Sequence, residues 1–79
     1  MTTLYLPDVD DFRPIVDHAR SNNALQVRKR GDFIQIYSDQ GIELDRKLVP
    51  VRDALWFSCL VGGIKGKVVE FSADRIRIE

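Results

Sequence analysis

The chain has 79 residues, of which 44% are hydrophobic, and twelve basic side chains balance twelve acidic ones. This length allows one domain with a small core, and the balanced charge argues against bulk nucleic acid or anionic lipid as the dominant partner. A single cysteine, Cys59, excludes an internal disulfide, and a single histidine, His18, leaves no Cys/His metal cluster. We therefore expect one domain over residues 1–79 with no metal and no cofactor.

The sequence also bears on where in the cell the protein is found. Polar threonines follow Met1 where a secretory signal would place a basic and then an apolar segment. The longest apolar run, residues 54–61, is too short to cross a bilayer. A lone thiol fits a reducing compartment. The sequence therefore predicts a cytoplasmic protein with no membrane partner.

The first quarter of the chain predicts a strand and a helix. Residues 2–6 alternate weakly and end at Pro7, which indicates a short strand at a sheet edge. The next apolar residues recur at the spacing of one helical stripe: Phe12, Ile15, Val16 and Ala19. We expect a helix over residues 11–21, with Pro14 tolerated in its first turn.

The middle of the chain predicts three strands. Apolar and polar residues alternate over residues 25–30, 33–38 and 42–46. Turn signals separate them, with Gly31-Asp32 at the first break and Gly41 at the second. The pattern favours a three-stranded meander.

The last third predicts a helix over residues 51–61, which Gly62 ends, and then a hairpin of residues 67–71 and 75–78. The element order is β-α-β-β-β-α-β-β. Helices separated by hairpins indicate the α+β class. We expect a mostly antiparallel sheet that carries both helices on one face.

The second predicted helix is apolar on more sides than one sheet can cover. Neighbouring helical positions lie about 100° apart, so Trp56 and Phe57 cannot both face the sheet. We expect Trp56, Cys59 and Gly63 to form a second, uncovered stripe, and tryptophan is favoured at the centre of interfaces. This favours a non-enzymatic module that acts through protein–protein contact and forms a homodimer. The alternative is that the N-terminal segment covers the stripe inside one chain.

A basic segment supports a different hypothesis. Eight basic side chains oppose five acidic ones between residues 25 and 67. Arg28, Lys29 and Arg30 stand close to aromatic residues, and Lys65 and Lys67 stand among glycines. Basic residues interleaved with aromatics can bind single-stranded nucleic acid. The glycines, however, follow a helix instead of preceding one, which indicates a turn and not a phosphate-binding loop.

Catalysis is the least favoured hypothesis. Cys59 lies near the predicted C-terminus of an apolar helix, which does not stabilise a thiolate. His18 lies on the polar face of the first helix, and nothing in the sequence places it near Cys59. We expect no catalytic residue, and a small enzyme would have to use one of these two side chains.

Overall fold

The computed structural model covers residues 1–79 and contains seven strands, two α-helices and two turns of 3-10 helix. The elements in chain order are β1 (Thr2–Pro7), α1 (Arg13–Ser21), β2 (Gln26–Arg30), β3 (Phe33–Ser38), β4 (Ile42–Asp45), α2 (Asp53–Ser58), β5 (Ile64–Lys65), β6 (Val68–Phe71) and β7 (Arg75–Ile78). The 3-10 turns are Asp10–Phe12 and Arg46–Leu48. The α+β class and the predicted order of elements are confirmed, and β5 adds a two-residue strand after α2.

The strands form two antiparallel sheets instead of one. The four-stranded sheet has the order β2-β3-β1-β5, and the three-stranded sheet has the order β4-β7-β6. The prediction of a meander is wrong, because β4 pairs with β7 and the free side of β3 is taken by β1. The prediction of an edge position for β1 is wrong for the same reason: β3 pairs with it on one side and β5 on the other.

Two glycines carry the chain from one sheet to the other. Gly41 (φ 86°) lies between β3 and β4, and Gly66 (φ 138°) lies between β5 and β6. A Cβ atom at Gly41 would stand 2.8 Å from the Ile78 carbonyl oxygen, and one at Gly66 would stand 2.8 Å from the Glu79 carbonyl oxygen. Both crossings therefore need a residue without a side chain, packed against the end of β7.

The first helix follows its sequence pattern. Its apolar stripe, Ile15, Val16 and Ala19, is buried and packs on β2 and β3. Pro14 lies at the start of α1, and Asn22 leaves the helix in an extended conformation. A 3-10 turn replaces the first predicted turn of the helix, because the Asp10–Phe12 segment makes i to i+3 bonds before the proline fixes the helical φ.

The core lies between the two sheets and the helices. It contains sixteen buried hydrophobic residues. Full burial of a large apolar side chain stabilises the folded state by about 1.5–3 kcal/mol. Leu4, Leu6, Ile34 and Ile36 come from one sheet, and Ile42, Leu44, Ile76 and Ile78 come from the other. Neither helix has the length and hydropathy needed to cross a lipid bilayer.

Candidate functional site

The second helix is shorter than predicted, and its tryptophan is buried. It spans Asp53–Ser58 instead of residues 51–61. Trp56 is fully buried, and its Nε1–H donates a hydrogen bond to the Ser72 carbonyl oxygen at 2.7 Å. The β6–β7 hairpin thus covers the side of the helix that was expected to be free.

The expectation that Trp56 and Cys59 form an uncovered stripe is therefore wrong for the single chain. Cys59 is also fully buried, whereas Phe57 is 51% exposed. Gly63, the third predicted residue, is half-buried and stands beside the Tyr5 ring with φ 105°. Trp56 and Cys59 belong to the core of the chain, and any contact between copies has to use other side chains.

The basic residues do not form one patch. Arg28 and Arg30 lie on β2, and Lys65 lies on β5, at the opposite edge of the four-stranded sheet. Lys29 points to the other face of β2, where its Nζ lies 3.1 Å from the Asp8 carboxylate. Lys67 lies at the start of the three-stranded sheet and exchanges backbone hydrogen bonds with Glu79.

The register of the four-stranded sheet sorts its side chains by face. Directly paired residues share a face, and Leu4 and Leu6 of β1 lie in the core. The residues that alternate with them form the outer face, which we call the open face: Thr3, Tyr5, Pro7, Gln26, Arg28, Arg30, Phe33, Gln35, Tyr37 and Lys65. None of these residues belongs to the hydrophobic core cluster, and none is acidic.

Gln35 stands at the centre of the open face and is buried by its neighbours. Its Oε1 accepts a hydrogen bond from the Arg28 Nε–H at 2.6 Å. The Arg28 guanidinium lies 4.9 Å from the centre of the Tyr37 ring, within the range of a cation–π contact. These two contacts hold an exposed cation in a fixed place above an aromatic ring.

Thr3 carries the one buried side-chain polar atom without a hydrogen-bond partner, its Oγ1. Thr3 is 1% exposed and pairs with Tyr37 on one side and Lys65 on the other. An unpaired buried hydroxyl is unfavourable by about 1–3 kcal/mol. This hydroxyl lies on the open face and not among the core residues.

The three-stranded sheet leaves a different surface bare. Strand β6 has a neighbour on one side only, and all four of its residues are exposed. The Phe57 ring of α2 lies 5.8 Å from the Phe71 ring. We call this surface the edge patch: Phe57, Val68, Val69 and Phe71, which are 51%, 38%, 44% and 39% exposed.

The outer face of the three-stranded sheet is a ladder of paired charges. Arg77 donates to Glu43 at 2.6 Å and to Glu79 at 2.9 Å. The hydrogen bond that Arg77 donates to Glu79, the negative charge of Glu79 and the hydrogen bond donated to Glu43 raise the pKa of Arg77. Arg75 lies within 4 Å of both Glu43 and Glu70. These cations are already neutralised and are not free for an anionic ligand.

The two side chains considered for catalysis, Cys59 and His18, have different surroundings. Burial raises the pKa of the Cys59 thiol to about 11, so the thiol stays protonated near neutral pH. His18 lies on the solvent side of α1. No cluster of three or more His, Cys, Asp or Glu side chains has the spacing of a metal site.

Comparison with known proteins gives no relative. No family model matches the chain, and no curated protein and no solved structure is similar to it at a significant level.

Proposed function

We propose that this protein is a non-enzymatic contact module that self-associates through the edge patch. The observation that carries the proposal is the unpaired strand β6, whose two valines and one phenylalanine are exposed together with Phe57. An exposed apolar edge strand is a template for pairing with another chain, and contiguous exposed apolar groups mark interaction sites.

The backbone of β6 favours addition of a strand. Lys67 exchanges both of its backbone hydrogen bonds with Glu79, at 2.7 and 2.8 Å. Because bonding alternates along an antiparallel strand, the N–H and C=O of the next residue, Val68, point away from β7. These groups are available to a further strand.

Charge complementarity favours a second copy of this chain as the added strand. The pairing of β6 with β7 contains a bulge between Val68 and Glu70, which adds one residue to β6. Because of this extra residue, Lys67 and Glu70 both lie on the outer face, opposite Glu79 and Arg77 of β7. In a twofold antiparallel pair with Val68 opposite the Val69 of the second copy, Lys67 of each chain stands opposite Glu70 of the other. Opposite charges at such positions stabilise the pair by about 0.2–1 kcal/mol, and a twofold axis supplies the contact twice.

Sedimentation equilibrium of Val69→Lys against Val9→Lys tests this proposal. Both valines are exposed to a similar extent, 44% and 49%, but only Val69 lies in the edge patch. The wild type and Val9→Lys should show a concentration-dependent dimer between about 5 µM and about 500 µM, the range of small interfaces. Val69→Lys should remain monomeric, because charged side chains block edge pairing.

A wild type that stays monomeric over that whole range would contradict the proposal. So would equal association of Val69→Lys and Val9→Lys, since that result would place the contact elsewhere. Substitutions of Trp56 are unsuitable for this test, because that side chain is buried and its replacement would destabilise the core.

A further inference from the structure

We propose that the open face of the four-stranded sheet binds single-stranded nucleic acid. Bases stack on Tyr5 and Phe33, and phosphates pair with cations at the two edges of the sheet, where the Arg28 guanidinium already covers the ring of Tyr37. The open face and the edge patch belong to different sheets, so this inference does not rest on self-association.

The aromatic rings are spaced as a platform. Tyr5 pairs directly with Gln35, so it lies diagonal to both Phe33 and Tyr37, at about 7–8 Å between backbones. Phe33 is 40% exposed, and both tyrosines are half-buried. Exposed rings on a sheet accept any base by stacking, because every base has a π-face.

The cations frame these rings. Arg28 and Arg30 are two residues apart on β2, about 7 Å along the strand. Lys65 lies on β5, three strand spacings away, or about 14 Å. A nucleic-acid strand that crosses the face therefore meets positive charge at both edges and aromatic rings between them.

These three cations are not neutralised by the protein. The chain contains eight ion pairs within 4.0 Å, and none of them uses Arg28, Arg30 or Lys65. Lys29, between the two arginines in sequence, is by contrast paired with Asp8. Three uncompensated positive charges therefore lie on the face that carries the rings.

One further feature fits a ligand with phosphates. The hydrogen bond from Arg28 to Gln35 fixes the guanidinium before binding, which lowers the entropy lost when a phosphate pairs with it. An acidic peptide would use the cations and leave the rings without a role.

Fluorescence anisotropy with labelled oligouridylate and oligothymidylate tests the inference. A length of about ten nucleotides lies within the site size of small binding domains, and salt is varied from about 50 mM to 200 mM. Arg28→Ala and Arg30→Ala are compared with Lys29→Ala, which removes the same charge from the other face of β2. Phe33→Ala is compared with Phe57→Ala, which removes an exposed ring from the edge patch.

Both wild-type titrations should show binding that weakens as salt rises. Arg28→Ala and Arg30→Ala should each weaken binding about fivefold and flatten the slope of log K against log salt by about 0.7. Phe33→Ala should weaken binding about fivefold or more, and Phe33→Tyr should retain it, because either ring can stack. Lys29→Ala and Phe57→Ala should change the affinity less than about twofold, and circular dichroism should show that every variant is folded.

Absence of binding to both oligonucleotides at 50 mM salt would overturn the inference. Equal losses of affinity for Lys29→Ala and Arg28→Ala would also overturn it, because they would show general electrostatic attraction of the oligonucleotide without a defined binding face. Polyglutamate that competes as well as the oligonucleotides would replace nucleic acid by an acidic peptide.

Discussion

The four-stranded sheet exposes cations, amides and aromatic rings on its open face, whereas the three-stranded sheet exposes valine and phenylalanine along β6. Their edges differ in the same way. Strand β2 ends the first sheet with Arg28, Lys29 and Arg30, and charges of this kind prevent a further strand from adding. Strand β6 ends the second sheet with exposed apolar residues. The β2 edge is therefore protected against pairing and the β6 edge is suited to it, although the two sheets share one core.

The largest expected effect separates the two neighbouring aromatic residues of α2. Trp56→Ala should lower the free energy of unfolding by about 3–5 kcal/mol, because it leaves a cavity in the core and removes the hydrogen bond to Ser72. Phe57→Ala should cost less than about 1 kcal/mol, since half of that ring is already in water. Urea unfolding monitored by circular dichroism measures both. Equal costs would show that the edge patch is part of the core.

A smaller effect concerns the loop beside the open face. A Cβ atom at Gly62 would stand 2.2 Å from the Tyr5 carbonyl oxygen, whereas one at Gly31 would meet nothing within 4 Å. Gly62→Ala should therefore destabilise the protein by about 3 kcal/mol through overpacking. Gly31→Ala should cost about 1 kcal/mol, from its positive φ alone. Thermal unfolding compares them, and a smaller loss for Gly62→Ala than for Gly31→Ala would contradict the close approach to β1.

The pH dependence of stability tests the burial of Cys59 in the core. Burial raises the pKa of its thiol from 9.0 to about 11. The unfolded chain loses this proton first, so the stabilising effect is complete below pH 9 and is lost between pH 9 and pH 11. The slope should be at most about 1.4 kcal/mol per pH unit. In Cys59→Ala the free energy of unfolding should lack this fall between pH 9 and pH 11. Identical slopes for the two proteins would contradict the burial of the thiol.

The smallest expected effect concerns the register of the self-pairing. Lys67→Glu and Glu70→Lys should each weaken association about twofold to fivefold, because each places like charges opposite one another. The double variant should restore most of the wild-type affinity, since it exchanges the charges and keeps them complementary. Sedimentation of the four proteins measures this cycle. Additive losses in the double variant would exclude the proposed register.

The sequence predicts local structure well where neighbours in the chain determine it. The apolar stripe of α1 and the alternation in β2, β3 and β4 correspond to elements of the structure. It does not predict which strands pair. The placement of β4 beside β7 joins residues that lie 30 to 36 positions apart in the chain, and the two-residue strand β5 has too few positions to show alternation.

The candidate surfaces were predictable only in part. Alternation along β2 already separates Arg28 and Arg30 from Lys29, so the part of the open face that β2 contributes can be found from alternation alone. The position of Lys65 on the same face requires the pairing of β5 with β1. Trp56 could not be distinguished from Phe57, because its cover comes from Ser72 and the β6–β7 hairpin, distant in sequence.

Amide chemical-shift mapping tests most directly the claim that the chain has two separate surfaces. The spectra follow titration of the oligonucleotide at one protein concentration, and dilution of the protein without it. The account predicts that the oligonucleotide shifts the signals of Tyr5, Arg28, Phe33 and Lys65, and that dilution shifts those of Val69 and Phe71. One common set of signals in both experiments, or oligonucleotide shifts confined to β6, would contradict it.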